Sequence, residues 1–280
     1  MQYLVDDLKD CVDSENLFQS VIALEGEIYR EVENRKTFRF EWKGKGYFAK
    51  THFGVGWREI LKNLVQFRLP VLGASNEWHA LGKLSDLGVD TLHPVAYVSE
   101  GWNPAKMRSC IVTRELENTM SLEDFCTGGL SLVLKRKLVK KLAAVSKLLH
   151  DNGINHRDYY ICHFLLDLDS SHQKVPVVYL IDLHRAQIRR NTPFRWKVKD
   201  IGGLFFSTFD LELTNRDLFR FMKIYTGRPL REILQKDGDF WRAVLRRAMR
   251  LYLQDNAGLP DWVIHLQERD SYAQGKTHGK

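Results

Sequence analysis

Strand-like and helix-like patterns of apolar residues occupy different parts of this chain, and that separation limits the folds open to it. Residues 27–53 alternate polar and apolar side chains in three runs divided by tight turns, which predicts a three-stranded antiparallel meander. Strand patterns continue as far as Arg114, whereas helical spacing dominates beyond it, with a long amphipathic helix predicted from Leu134 to His150. The order predicts an α+β fold of two lobes, strand-rich over residues 1–114 and helical over residues 115–280.

The composition indicates a cytoplasmic chain with an anionic partner. The 280 residues contain 42 Lys and Arg against 35 Asp and Glu, a formal charge of +7. The acidic N-terminus has no apolar run, and no stretch approaches the ~20 apolar residues that span a bilayer. The four cysteines form no CxxC pair, and the basic residues lack the interleaved aromatic residues of a nucleic-acid stacking surface. We therefore expect neither a zinc site nor binding to nucleic acid.

The stretch NHRDYYICHFLL, residues 155–166, has the most informative chemical pattern. It follows the long helix and precedes an apolar run, and the catalytic loop of protein kinases reads H-R-D, four residues and Asn in the same context. Asp158 is accordingly predicted to be catalytic, positioning the acceptor hydroxyl and taking its proton. His156 and Arg157 are predicted to be structural residues that brace the loop.

Two further residues of the helical lobe have two interpretations each. His163 stands where kinases have the Asn that binds a metal ion, so we expect it to bind metal or phosphate. The alternative is a histidine that hydrogen-bonds within the loop. Asp200, in the run DIGGLFFS, is predicted either to anchor the catalytic loop or to cap a helix.

Three other residues complete a kinase-like set. The apolar run VVYLID delivers Asp182 where kinases place a metal-binding Asp, and GYFAKTH places Lys50 on the third strand, where kinases have the lysine that binds the α- and β-phosphates. Glu77 lies on the apolar face of a predicted helix, and a buried carboxylate needs a cation, so we expect it to pair with Lys50. This set in this order predicts a protein-kinase-like fold that binds ATP and Mg²⁺.

The expected glycine-rich phosphate loop is missing from the sequence. The predicted turn between the first two strands, residues 33–36, contains no glycine. Arg35 and Lys36 are expected to add charge beside the ATP phosphates, and the alternative is an ordinary solvated hairpin.

Two basic segments are candidates for contacts outside the nucleotide site. The first follows Asp182, where a kinase receives its acceptor, and is predicted to bind an anionic acceptor or else to be a solvated face. Its cations are Arg185, Arg189, Arg190, Arg195, Lys197 and Lys199. The second is the helix predicted from Trp57 to Arg68, whose apolar face is expected either to lie on a membrane or to pack against the strand-rich lobe.

From about Leu24 to beyond Leu234 the chain resembles the lipopolysaccharide core heptose(I) kinases. The resemblance rests on the stretches GEIYREVENRKTFRF, LPVLGASNEWHAL, GINHRDYYICHFLL, LIDLHRAQIRR and RDLFRFMKIYTGRPLREIL. His163 belongs to this family's own pattern, whereas Tyr159 stands where the family has a Cys. Tyr159 is not expected to take part in the chemistry.

The resemblance implies ATP- and Mg²⁺-dependent phosphorylation of the 4-hydroxyl of the first heptose in the lipopolysaccharide inner core. Such an acceptor has Kdo carboxylates and lipid A phosphates, which suits the basic segment, and it is displayed at the cytoplasmic face of the inner membrane. Acyl carrier protein is a further partner that the resemblance implies. A related branch phosphorylates Kdo and is the nearest alternative; a kinase with a small-molecule or protein acceptor and a binding pseudokinase are the others.

Overall fold

The computed structural model of the chain describes residues 1–32, 34–65, 73–211 and 213–266. Its contacts divide the chain into two compact units. The first unit comprises residues 1–119 and 178–188, and the second comprises residues 120–177 and the chain from residue 189 onward. The lobe boundary between residues 114 and 115, which rests on the change from strand to helix patterns, stays a prediction.

The first unit is built on an antiparallel sheet. The strands of this sheet are β1 (Gln2–Leu4), β2 (Glu27–Val32), β3 (Arg35–Trp42), β4 (Lys45–His52), β5 (Pro94–Glu100) and β6 (Arg108–Arg114). Within the described residues the sheet has the order β1-β5-β6-β4-β3-β2, and each neighbouring pair is antiparallel. The predicted meander over residues 27–53 is confirmed as β2, β3 and β4.

The turn between β2 and β3 is shorter than predicted. Val32 pairs with Arg35, so the chain reverses between these two residues, and Arg35 and Lys36 are the first residues of β3. The prediction of a four-residue turn over residues 33–36 is wrong, because the ladder to β4 extends as far as the pair of Arg35 with His52.

Within the described residues, the first unit also contains three α-helices. They are α1 (Leu17–Ile22), α2 (Gly56–Val65) and α3 (Ser75–Asp86). Phe18 of α1 is fully buried in the core with Phe38 and Tyr47 of the sheet. Trp78 of α3 stacks on Tyr97 of β5 with ring centroids 4.7 Å apart, which fixes α3 against the sheet. Residues 66–68 of the predicted helix lie outside the described residues.

The rest of the chain is mainly helical. Its elements are β7 (Thr119–Ser121), α4 (Leu122–Thr127), α5 (Leu132–Asp151), β8 (Ile154–Asn155), β9 (Phe164–Asp167), β10 (Val178–Leu180), β11 (Gln187–Ile188), α6 (Phe194–Phe206), α7 (Asn215–Thr226), α8 (Leu230–Lys236) and α9 (Gly238–Asp255). Strands β10 and β11 belong to the first unit, and the helices belong to the second. The α+β class predicted from the sequence is confirmed.

Local chemistry explains where these helices begin and end. Ser131 accepts a hydrogen bond from the Leu134 amide at the start of α5, and Thr214 and Asp217 form a capping box at the start of α7. Gly153 follows α5 with φ of +76°, and a Cβ there would lie 1.8 Å from the carbonyl oxygen of Arg189. Glycine is therefore required at this position, just ahead of the catalytic loop.

Packing inside the second unit relies on the apolar faces of its helices. Leu138, Leu142 and Leu149 of α5 are buried, and α6 packs against α9. In the part of the chain that the structure describes, no helix combines the length and the apolar composition that crossing a bilayer requires.

Candidate active site

The strand lysine and the helix glutamate form a buried ion pair. Nζ of Lys50 on β4 lies 2.5 Å from Oε1 of Glu77 on α3, and the exposed fractions of the two side chains are 15% and 0%. Lys50 lies opposite Thr37 of β3 and Ile111 of β6, so its strand is held from both sides. Oε2 of Glu77 has no hydrogen-bond partner among the described residues. Lys50 is therefore the group that offsets the burial of this carboxylate.

Removing the lysine should destabilise the protein. We expect Lys50→Met to lower the free energy of unfolding by about 3–5 kcal/mol, because it leaves a buried carboxylate without a cation. The double variant Lys50→Met/Glu77→Leu should recover most of that loss. Lys45→Met is the matched control on the same strand, since Lys45 and Asp7 form a half-exposed pair 3.6 Å apart worth about 0–1 kcal/mol. Urea unfolding measures all three, and equal losses for Lys45→Met and Lys50→Met would contradict this account.

One face of the sheet collects cationic side chains around Lys50. Arg35 pairs directly with His52 across β3 and β4, and Lys50 lies two residues before His52, so these three side chains point to the same side. Lys36 points to the opposite side, where its Nζ lies 5.2 Å from the ring centroid of Phe38. The structure therefore brings Arg35 together with Lys50 but leaves Lys36 on the other face, and a role of Lys36 in nucleotide binding stays a prediction.

His52 makes the stability of this face sensitive to acid. It is 6% exposed, and burial, with the neighbouring charges of Arg35, Lys50 and His184, lowers its pKa to about 3. An unfolded histidine has a pKa of about 6.5. Because the folded pKa is depressed, the unfolded chain takes up a proton that the folded chain does not. The stabilising effect of neutral His52 is complete above pH 6.5 and is lost as the pH falls towards 3.

We expect His52→Gln to remove that part of the pH dependence. Between pH 6 and 4 the unfolding free energy of the unmodified chain should fall by about 1 kcal/mol per pH unit more than that of His52→Gln. His79→Gln, at an exposed histidine of the same unit, should keep the full slope. Urea unfolding at several pH values measures the difference, and parallel curves for His52→Gln and the unmodified chain would contradict the assignment.

Asp182 follows β10 in a constrained turn. Its backbone is left-handed, with φ of 61° and ψ of 49°, and Oδ1 lies 2.5 Å from Nδ1 of His184. Thr91 donates a 2.5 Å hydrogen bond to the carbonyl of Leu180, which ties β10 into the first unit. The turn Leu183–Arg185 packs against α3, the helix of the buried glutamate. The predicted metal-binding aspartate thus belongs to the same unit as the buried ion pair.

The predicted catalytic loop lies in the second unit, after β8. Nδ1 of His163 lies 2.7 Å from the carbonyl oxygen of Asp158, so Nδ1 is the donor of this hydrogen bond. The His163 ring also stacks on His156, with centroids 5.9 Å apart. The bond within the loop fixes the ring, and ligation of metal or phosphate through Nε2 stays a prediction.

Asp200 lies inside α6 and accepts hydrogen bonds from the catalytic loop. Its carboxylate receives the backbone N–H of His156 at 2.7 Å and that of Arg157 at 2.9 Å, and Nε2 of His150 lies 3.4 Å away. The side chain is 1% exposed, and Asp200 is in the middle of the helix, so it caps no helix end. These contacts hold the loop while Arg157 adopts φ of 77°, a costly conformation for this residue type.

The predicted acceptor residues are divided between the two units. Arg185 belongs to the first unit, and Arg189, Arg190 and Arg195 belong to the second. Arg189 donates from its backbone to the carbonyl of Gly153 at 2.9 Å and from its guanidinium to Oδ1 of the buried Asn155. Arg190 and Arg195 are exposed. Contact with an acceptor stays a prediction for all four arginines.

Helix α2 presents apolar side chains to solvent. Trp57, Leu61 and Val65 are 54%, 57% and 78% exposed, whereas Ile60 is buried. Packing against the strand-rich lobe, one of the two predicted explanations, accounts for Ile60 but not for these three exposed side chains.

Sequence reasoning missed three residues of the site. His184 contacts Asp182, Asn155 fixes Arg189, and the indole of Trp196 lies among basic side chains. For Trp196 a signal was present, because the run RWKVK places an aromatic residue between cations. No sequence pattern indicates the contacts of His184 and Asn155.

Comparison with known proteins identifies the relatives of this chain. The sequence model of the lipopolysaccharide kinase (Kdo/WaaP) family matches residues 19–225. The chain is 48% identical over 225 residues to the lipopolysaccharide core heptose(I) kinase WaaP of Escherichia coli, covering 79% of this chain and 85% of that protein. It is 46% identical over 245 residues to the enzyme of the same name from Pseudomonas aeruginosa, covering 84% of this chain and 90% of that protein.

A solved structure agrees with these sequence matches. It is described as WaaP in complex with acyl carrier protein, is 40% identical in sequence and gives a TM-score of 0.78. The match covers 90% of this chain and 99% of that one. The kinase-like fold predicted from the sequence is confirmed.

Proposed function

The chain belongs to the lipopolysaccharide kinase (Kdo/WaaP) family, and from that premise we propose that it transfers the γ-phosphoryl group of ATP to the 4-hydroxyl of the first inner-core heptose. The family makes the chain an ATP-using phosphotransferase. The acceptor and its hydroxyl come from the names of the relatives and from the resemblance of the sequence.

The buried ion pair of Lys50 and Glu77 is the observation that carries the proposal. A fully buried carboxylate costs stability unless a cation compensates it, and a chain that only binds a partner gains nothing from the arrangement. In kinases the same pair holds the lysine towards the α- and β-phosphates. This favours a catalytic chain over a pseudokinase.

Each remaining residue has one proposed role. Lys50, held by Glu77 and joined by Arg35 on the same face, binds the ATP phosphates. Asp158 orients the heptose hydroxyl and accepts its proton as the bond to phosphorus forms and the bond to the leaving ADP oxygen breaks. Asp200 keeps the loop of Asp158 in place. Most of the acceleration then comes from positioning and charge stabilisation.

Of the side chains predicted to bind metal, Asp182 and His163, only Asp182 suits Mg²⁺ well. Mg²⁺ prefers oxygen ligands and takes several from water and substrate phosphates, so the Asp182 carboxylate suits it, with His184 fixing one carboxylate oxygen. Within the described ranges no three His, Cys, Asp or Glu side chains form a metal cluster by themselves. The imidazole of His163 is a poorer ligand for Mg²⁺ than a carboxylate, and a hydrogen bond that Nε2–H of the doubly protonated ring donates to a phosphate oxygen is the better proposal. Bound Mg²⁺ would neutralise charge on the transferring phosphoryl group.

An anionic acceptor fits the charge of the second unit. Arg189, Arg190 and Arg195 are proposed to contact Kdo carboxylates and lipid A phosphates, to which Arg binds strongly. Arg185 is proposed as a further contact from the first unit. The exposed apolar side chains of α2 suit peripheral contact with the cytoplasmic face of the inner membrane, where this acceptor is displayed.

Acyl carrier protein is a proposed partner, because a structural neighbour is described in complex with it. A cavity of about 440 Å³ in the second unit supports this partner, since an apolar lining can bury a fatty acyl chain. Leu138, Leu142, Phe205 and Met222 are among its lining residues. Native mass spectrometry of the protein purified from cells should show acyl carrier protein bound, and its absence would contradict this partner.

Transfer of labelled phosphate tests the proposed acceptor. We expect purified protein with Mg-ATP to phosphorylate lipopolysaccharide that lacks the heptose(I) phosphate, and not casein or aminoglycosides. The labelled sugar separates the alternatives, since label on Kdo would favour the related Kdo kinases. Absence of transfer to any acceptor, with Mg-ATP bound, would favour the pseudokinase.

A further inference from the structure

The indole of Trp196 is surrounded by cations. The distance from the cationic centre to the ring centroid is 5.4 Å for Arg157, 5.6 Å for Arg189, 5.1 Å for Arg195 and 5.7 Å for Lys199. All five residues belong to the second unit. Cations at this distance are attracted to the negative faces of an aromatic ring. Trp196 is therefore the common contact of four positive charges, which we call the tryptophan cluster.

The tryptophan cluster lies at a helix end where the backbone dipole adds further positive charge. Trp196 and Arg195 are in the first turn of α6, at the positive end of the helix dipole, and that turn has no acidic residue. Burial and the charge of Arg195 lower the pKa of Arg189. Positive charges held this close repel one another, and an anion bound among them reduces that repulsion.

Two buried donors in the same region also need an acceptor. Nε1 of Trp196 and Nδ2 of Asn155 are buried and have no hydrogen-bond partner among the described residues. Asn155 is 0% exposed, and its Oδ1 accepts from the Arg189 guanidinium, so the unpaired amide is beside a cluster cation. Buried donors are nearly always satisfied in folded proteins, and an oxyanion offers several acceptor oxygens.

We propose that the tryptophan cluster is the oxyanion site of the acceptor, where Trp196 holds Arg189, Arg195 and Lys199 ready for a phosphate or a sugar carboxylate. The inference rests on the proposed function for the identity of the acceptor. Trp196 acts as a positioning residue, because its ring orients the cations that touch the ligand. Arg157 connects the cluster to the catalytic loop, since it is adjacent to Asp158 and its backbone is fixed by Asp200.

Steady-state kinetics with varied acceptor and varied ATP test the proposal. We expect Trp196→Leu to raise the KM for lipopolysaccharide lacking the heptose(I) phosphate by about 5-fold, the scale of one good cation–π contact. The KM for ATP should stay within about twofold, and Trp196→Phe, which keeps an aromatic face, should restore most of the acceptor affinity. The increase should shrink at high salt.

A matched control and a double variant separate positioning from simple stability. Trp42 also has a buried Nε1 without a partner among the described residues, and Lys43 lies over its ring at 5.7 Å. Trp42→Leu should leave the acceptor KM unchanged. In the Arg195→Gln background, Trp196→Leu should raise the acceptor KM by a smaller factor than in the unmodified chain, because part of its effect acts through Arg195. The proposal would be overturned if the effects of Trp196→Leu and Arg195→Gln on the acceptor KM were fully additive. It would also be overturned if Trp196→Leu had the same acceptor KM as the unmodified chain.

Binding without ATP distinguishes failure of the inference from failure of the proposed function. Surface plasmon resonance with the same lipopolysaccharide should show weaker binding to Trp196→Leu and to Arg195→Gln, even if no phosphate is transferred. Equal binding by both variants and the unmodified chain, or no binding at all, would overturn the inference.

Two forms of the acceptor identify the source of the oxyanion. In one form the lipid A phosphates have been removed and the Kdo carboxylates kept. If Trp196→Leu and the unmodified chain bind this form equally well, the cluster binds phosphate. If Trp196→Leu still binds it more weakly by the same factor, the cluster binds carboxylate. Either result supports an oxyanion site.

Discussion

Asp158→Asn should reduce the turnover number by roughly 10²-fold or more while leaving the protein folded, because loss of a positioned general base has effects of about that size. The substitution keeps the size of the side chain and removes the atom that takes the proton. Binding of Mg-ATP should change little, since the proposed role of Asp158 concerns the acceptor hydroxyl. Turnover is measured with saturating ATP and acceptor, so that a change of affinity does not appear as a change of rate.

The control for this experiment is an aspartate of the same unit without a proposed role. Asp169 is exposed in the short turn Leu168–Ser170, and Asp169→Asn should keep the turnover of the unmodified chain. Thermal unfolding should be the same for all three proteins. Near-normal turnover of a properly folded Asp158→Asn would show that the H-R-D resemblance does not extend to catalysis.

Asp182→Asn should remove most of the Mg²⁺-dependent part of ATP binding. The carboxylate is the proposed protein ligand of the metal, and an amide replaces a charged oxygen with a neutral one, so the Kd for Mg-ATP should rise by about 10-fold or more. The effect on nucleotide binding should exceed that of Asp158→Asn, whose effect is on turnover.

Nucleotide binding in the absence of metal is the internal control for Asp182→Asn. With EDTA present, the variant and the unmodified chain should bind ATP with the same weak affinity, as Lys50, Glu77 and Arg35 are unaltered. Isothermal titration with and without Mg²⁺ measures both affinities. If Mg²⁺ strengthened ATP binding by the same factor in both proteins, the metal role of Asp182 would be contradicted.

The sequence was sufficient to predict contacts that involve strong and specific chemistry. A lysine on a strand and a glutamate on the apolar face of a helix predicted the pair of Lys50 and Glu77, because few other cations can compensate a buried carboxylate there. The H-R-D loop and the apolar strand before Asp182 gave the order of elements. The contact of Asp200 with the loop was one of two interpretations, and its place in the middle of α6 leaves only that one.

What could not be predicted depends on contacts between segments far apart in sequence. The meeting of Asn155 with Arg189 requires that the chain after β11 return beside Gly153, and no local pattern encodes that approach. The register between β2 and β3 could not be predicted from a local pattern either. The position of the turn between β2 and β3 decides the face on which Arg35 points, and the alternation alone did not fix the turn.

The most direct test of the central claim is mass spectrometry of core oligosaccharide from cells with and without this protein. Deletion should remove one phosphate group from the first heptose, the unmodified gene should restore it, and the Asp158→Asn gene should not. Full phosphorylation of the first heptose in the deletion strain, or loss of phosphate from Kdo with the heptose intact, would contradict the proposal.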